Sequence, residues 1–315
     1  MRDRLFILFL FIISAVILPN VFIKEKSTSL ETIRLYIEES GEILTLTAEE
    51  YVLGCISAQI PIDYEEEALK AQAAAAMTYG LRLIEDLKQA DGEIPENADL
   101  SDSSEICQPF FTSERCKEEY GESYEEYLPV LKRAAAYGAS HVITYKKEPI
   151  YSVYHSVSAG RTRSAIGVWG RDFDYIKPAE SGWDRDYINY ECVNEMTAEA
   201  ARLALVGYKA DIETPADYSK WFSDFNVNED GYVISVKIGN NIFSGGDIWR
   251  IFKLRSTAFT VEYRNEIFVF TTKGYGHGAG LSQYGANEMA KEGKTAEEIL
   301  YHYYGDEVRV EKKSF

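Results

Sequence analysis

Basic residues are scarce. The 315-residue chain has 33 Lys and Arg against 51 Asp and Glu, a formal net charge of −18. That balance argues against a nucleic-acid partner, whose phosphates need a cationic surface. Cysteine is also scarce, with four residues: Cys55, Cys107, Cys116 and Cys192. A chain this long can bury a sizeable core, so it needs no disulfide framework. No internal repeat and no low-complexity segment is present. Long apolar runs are limited to one, residues 5–23, behind Arg2 and Arg4. As a helix it rises about 28 Å, close to the hydrocarbon thickness of a bilayer. It lacks a small-x-small cleavage site, since Leu18-Pro19-Asn20 and Phe22-Ile23-Lys24 are poor substitutes. The run therefore reads as a retained membrane anchor rather than a cleaved signal. The preceding arginines place the remainder outside the cytoplasm, although Lys24 and Lys26 dilute that asymmetry.

After the anchor, helical and strand periods do not alternate regularly, so the expected fold class is α+β. The expected organisation is an anchor over residues 1–26 and one extracytoplasmic mixed α/β unit over 27–315. Two lobes around a groove are the alternative arrangement of that unit. Residues 32–47 read as two strands about a Ser40-Gly41 turn. Thr47 and Glu50 form a capping box before a helix that Pro61 ends. A second helix spans about 65–88. It carries no charge from Ala71 to Leu81, so it must be buried all round. Residues 91–120 are acidic, small and irregular, and read as a surface loop or insertion. Residues 142–145 and 150–155 suggest a hairpin. Residues 156–170, rich in Ser, Gly and Arg, read as an exposed loop. Residues 259–263 and 267–272 form a second hairpin.

That hairpin leads into GYGHGAGLSQYGA, residues 274–286. Glycine stands at every second position from Gly274 to Gly280. Such a backbone can take positive φ and lie close to whatever it faces. His277 sits inside the run, and Ser282, Gln283 and Tyr284 follow at a helix start. A pliable loop with one imidazole and several polar side chains suits a ligand-facing corner. A structural histidine at a strand end fits the same residues equally well.

Three segments taken together are more specific. They are EYVLGCISAQIP with EALKAQAAAAMTYGL (residues 50–61 and 67–81), YHSVSAGRT with VWG (154–162 and 168–170), and the glycine-rich segment continued to Gly305. In this order they resemble the stage II sporulation protein D family, which includes the amidase-enhancer proteins. The resemblance runs from about Thr32 to Val310. It implies a sporulation-associated protein that engages the glycan strands of peptidoglycan. It also implies a lytic transglycosylase cutting between N-acetylmuramic acid and N-acetylglucosamine, with one carboxyl group as acid and then base. His155, Ser156 and Ser158 match the His-Ser-x-Ser segment. Together with His277, Ser282, Gln283 and Tyr284 they would line the glycan groove. Cell-wall amidases and other engulfment proteins are the implied protein partners.

The sequence departs from that pattern at two positions. Gln59 stands where the family has its catalytic glutamate, and Met77 where it has an arginine before Thr-Tyr. A carboxamide cannot donate and regain a proton at useful pH. Catalysis is therefore expected to be weak or lost, leaving a glycan-binding scaffold or amidase enhancer as the alternative role. Asp63, Glu65, Glu66 and Glu67 are nearby carboxylates, but acids at a helix start are usually solvated. No cofactor is expected. Some family members bind zinc through one histidine and two close cysteines. Cys107 and Cys116 occupy the corresponding loop, but no histidine precedes His141. Zinc would need a further ligand such as Asp99 or Asp102, so a disulfide or free thiols are favoured.

Overall fold

A computed structural model describes residues 32–88, 92, 94–210 and 212–313. The anchor expected over residues 5–23 lies outside them. Among the described residues no helix is long and apolar enough to cross a membrane. The architecture is mixed α and β, with described residues falling into two compact units. One joins the residues up to Val153 to those from Met289 onward, and the other is Tyr154–Glu288.

In the first unit, β1 (Ile33–Tyr36) and β2 (Ile43–Leu46) pair antiparallel, with Gly41 at φ +73° in the turn. Thr47 then caps α1 (Ala48–Gln59). Its hydroxyl accepts from the Glu50 amide at 3.2 Å, and the Glu50 carboxylate accepts from the Thr47 amide at 2.8 Å. Such a cap contributes about 1 kcal/mol. Ile60 leaves the helix in extended conformation, as the residue before proline prefers. In α2 (Glu66–Leu87), Ala71, Ala73, Ala74, Ala75, Ala76 and Met77 are all buried, as the missing charge requires.

The next stretch corrects the expected surface loop over 91–120. β3 (Leu100–Ser101) adds parallel to β1, and α3 (Ser113–Tyr120) is capped by Thr112. Leu100, Cys107 and Cys116 are buried. These anchors are too irregularly spaced among acids and serines to produce a period, so the sequence pattern concealed them. α4 (Glu122–Ser140) then packs on α2. A Cβ on Gly138 would lie 2.5 Å from the Ala73 carbonyl carbon, so the two backbones nearly touch. β4 (His141–Tyr145) and β5 (Glu148–Pro149) make a short hairpin turned by Lys146 and Lys147 at φ 53° and 70°. The second strand expected over 150–155 lies earlier, at Glu148–Pro149, and Tyr154–His155 belongs to a separate strand.

In the second unit, β6 (Tyr154–His155) is followed by α5 (Ala165–Trp169), β7 (Glu191–Thr197) and α6 (Ala198–Tyr208). Then come β8 (Phe222–Val227), β9 (Val233–Ile238), β10 (Asn241–Ser244) and α7 (Gly245–Ile251). β11 (Phe259–Arg264), β12 (Ile267–Lys273), β13 (Leu281–Ser282) and α8 (Gln283–Lys291) up to Glu288 complete it. Two antiparallel sheets result, in the orders β10-β9-β8 and β11-β12-β7. They enclose an aromatic core with Trp221, Phe268 and Phe270. The predicted β11–β12 hairpin is present, turned by Asn265 and Glu266 at φ 51° and 64°. Residues 156–170 are not the expected exposed loop, because Val157, Ser158, Thr162, Arg163 and Ala165 are buried. The chain rejoins the first unit through α9 (Ala296–Tyr304) and β14 (Arg309–Lys312), the latter antiparallel to β4.

Candidate functional site

The predicted site residues belong to both units, and each set has its own local construction. In the second unit the His-Ser-x-Ser and glycine-rich segments come together. β6 and β13 pair in parallel, with Tyr154 opposite Leu281 and His155 opposite Ser282. Val157 bridges Tyr275, and Arg163 bridges Ala279. Gly274, Gly276, Gly278 and Gly280 all take positive φ, at 75°, 104°, 82° and 69°. A Cβ on Gly276 would lie 2.9 Å from the His155 Cβ, and one on Gly278 equally close to the Tyr232 hydroxyl. The alternation thus provides both backbone freedom and close approach.

Ala279 holds both imidazoles. Its N–H donates to His277 Nδ1 at 3.1 Å, and its carbonyl lies 3.0 Å from His155 Nδ1. This pattern assigns opposite tautomers: His277 carries its proton on Nε2, and His155 carries its on Nδ1. The rings are 5.7 Å apart, and the Trp169 ring is 5.3 Å from His277. Burial pushes His155 down to about 3, with His277 acting in the same direction. Burial also lowers His277 to about 4, assisted by the Arg163 guanidinium. Both are therefore neutral at neutral pH and serve as hydrogen-bonding groups, not cations. His155 Nε2 is buried with no hydrogen-bond partner.

Ser158 and Ser282 are fully inside the protein and meet at Asp184, a residue the motifs did not single out. Asp184 Oδ2 accepts from the Ser158 amide at 2.8 Å, and Oδ1 accepts from the Ser282 hydroxyl at 2.8 Å. Burial raises the Asp184 pKa. Asp184 lies in the 3-10 turn Gly182–Asp186, and a lone acid in a loop carries no sequence signal of burial. Arg163 is also buried. It donates to Thr257, to the carbonyl of Gly167 and to that of His277, and its guanidinium lies over the Tyr232 ring. Ser156 and Tyr284 are partly buried. The Tyr284 amide donates to the Ser156 carbonyl at 3.0 Å, and its ring meets Tyr187 edge-on at 5.1 Å. Gln283 is buried at the start of α8.

In the first unit, Gln59 ends α1 and is partly buried. Its Nε2 donates to the Pro109 carbonyl at 2.9 Å and to Gln108 Oε1 at 3.5 Å. Met77 lies in the hydrophobic core with 1% exposure, so an arginine there would have to bring its charge into that core. Of the nearby acids, Glu66 pairs with Arg133 and Lys70, which hold it down to about 2. Glu67 pairs with Lys70 and accepts from the Ala296 amide.

No disulfide joins Cys107 to Cys116. Cys107 Sγ accepts from the Ser101 amide, while Cys116 interacts with Ser57 and Tyr124. The other suggested zinc ligands are engaged elsewhere: Asp99 with Arg34, and Asp102 with the Glu38 amide. Among the described residues no group of three or more His, Cys, Asp or Glu could hold a metal ion. The residues present do not fit zinc.

Comparison with known proteins agrees with the segment pattern. The sequence model of the family described as stage II sporulation protein matches residues 36–145. Stage II sporulation protein D of Bacillus subtilis is 31% identical over 274 residues, covering 87% of this chain and 77% of that protein. Its counterpart in Bacillus amyloliquefaciens is 29% identical over the same coverage. The amidase enhancer of Bacillus subtilis is 23% identical, covering 80% of this chain and 39% of its own length. The chain belongs to the stage II sporulation protein D family. Its role is sporulation-associated and related to the cell wall.

Proposed function

We propose that this protein engages the glycan strands of peptidoglycan without cleaving them efficiently. The observation that carries this reading is the carboxamide at position 59, which donates to two oxygens where a transglycosylase would need a titratable carboxyl. Loss of a general acid–base costs roughly 10²–10⁴ in rate. Met77 in the core likewise offers no cation to a substrate. The second unit supplies the binding chemistry. Neutral imidazoles, Trp169 and Tyr284 suit an uncharged, hydroxyl-rich ligand through hydrogen bonds and ring stacking. We place the protein at the cell membrane, tethered through residues 5–23 with its bulk outside the cytoplasm.

A second reading, enhancement of a cell-wall amidase by presenting glycan to it, is favoured by the likeness to an amidase enhancer. Both readings predict that the soluble chain from about residue 26 is retained by spore-former sacculi. His277→Ala should weaken that retention about tenfold or more. Mass spectrometry of the digest should show no 1,6-anhydro-muropeptides above background. Their release by wild-type protein would end the claim of lost catalysis, and absence of retention would end the claim of glycan binding.

A further inference from the structure

We propose that the Gln59 carboxamide is a latch. It fastens residues 107–111 as a strap across α1 and commits position 59 to a hydrogen-bond donor. The orientation of each amide follows from its neighbours. Gln108 Nε2 donates to the Ala76 carbonyl on α2 at 2.9 Å and also to the Tyr51 hydroxyl. A backbone carbonyl can only accept, so the NH2 group of Gln108 must face it. Gln108 Oε1 is then the end that faces Gln59. The Pro109 carbonyl, also only an acceptor, lies 2.9 Å from the same nitrogen. Two acceptors therefore converge on Gln59 Nε2, and a carboxylate placed there would direct negative charge at two carbonyl oxygens.

The strap has further attachments along α1. The Phe110 ring fills the space of a side chain at Gly54, where a Cβ would lie 2.1 Å from it, and the ring stacks on Tyr51. The Phe111 amide donates to the Gly54 carbonyl at 3.1 Å. Gly54 and Gln59 thus hold the strap at separate points of one helix. Releasing the Gln59 end leaves the 107–109 segment tied through Gln108 to Ala76 and Tyr51, so it opens more readily while the Phe110 ring stays seated. Cys107, buried at the start of the strap, becomes accessible when that end lifts. The latch is read from the first unit's hydrogen bonds. It takes its functional meaning, but not its evidence, from the reading of position 59 as a former acid.

The sign of the pH effect follows. A carboxyl facing two acceptors is held protonated, so its folded pKa is raised above the ordinary value of about 4.3. The strap stays closed below that value and opens as pH rises through the folded pKa. The test uses the soluble chain with a small water-soluble thiol reagent. Labelling of Cys107 is mapped by peptide mass at pH 5 and pH 8, and each variant is compared with wild type at the same pH. Gln59→Ala should label Cys107 about tenfold faster at both values. Gln59→Glu should label at close to the wild-type rate at pH 5 and about tenfold faster at pH 8. Wild-type labelling of Gln59→Glu at pH 8, or of Gln59→Ala at either pH, would overturn the latch. If Gln59→Glu unfolds at pH 8, recovery of circular dichroism at pH 5 supports it, and unfolding at both values refutes it. No glycan enters the assay, so its outcome is independent of whether the protein binds sacculi.

Discussion

Asp184 shows how much one buried carboxylate can hold in place. It joins the backbone after β6 to the Ser282 hydroxyl on β13, and so ties together two motifs that lie far apart in sequence. Removing the side chain leaves a buried amide and a buried hydroxyl without their acceptor, and the cost of each exceeds the net value of the bond itself. Asp184→Ala should therefore lower stability by about 3 kcal/mol or more. Asp184→Asn keeps one acceptor oxygen and the shape, and should cost about half as much. Urea unfolding of the two variants checks this, and equal losses would show that the retained shape and single oxygen contribute nothing and that both carboxylate oxygens are required. Ser158 and Ser282 are read from sequence as groove residues, yet their hydroxyls lie inside the protein. A serine in a motif looks the same whether it faces a ligand or a carboxylate.

Among the elements, the glycine-rich strand end is the most legible. Glycine at alternate positions predicts left-handed backbone and close approach, and all four residues show positive φ. The helix of 66–87 is equally plain, because eleven consecutive uncharged residues, 71–81, leave its middle no solvent face. Glycines differ in what surrounds them, and sequence does not show this. A Cβ at Gly274 would lie 2.6 Å from the Val157 carbonyl oxygen, whereas Gly41 at similar φ has open space around it. Gly41→Ala should cost only backbone strain, about 1 kcal/mol. Gly274→Ala must also move a backbone and should cost about 3 kcal/mol or more. Chemical denaturation of the pair separates the two terms, and equal losses would mean that the loop relaxes freely. Residues 91–120 escaped the sequence reading for the opposite reason. Their order comes from scattered contacts such as Phe110 on Gly54, which obey no period.

For the whole molecule, an excess of 18 negative charges predicts solubility and self-repulsion. Acidification should relieve that repulsion, but the two motif histidines oppose it. His155 at about 3 and His277 at about 4 both lie below the ordinary value of 6.5. The unfolded chain therefore binds protons first as pH falls. The stability these groups contribute is full above pH 6.5 and is lost as pH drops toward 4. Between pH 7 and 4.5 the two together should remove about 3–5 kcal/mol. Thermal melts of wild type and a His155→Gln/His277→Gln variant over that range isolate the effect. The variant should lose less stability than wild type on acidification, and parallel curves would show that the imidazoles are not held neutral.

The sequence alone determined the family, the α+β class, the capped and buried helices and the glycine alternation. Each depends on residues close together in the chain, where period and backbone preference act directly. It also showed that the expected acid at position 59 is an amide. Tertiary structure decided what that amide touches, which motif hydroxyls turn inward, and that Asp184 joins two of the motifs. Those outcomes depend on atoms brought together from distant parts of the chain. A donor gives no local sign of which acceptor it will meet.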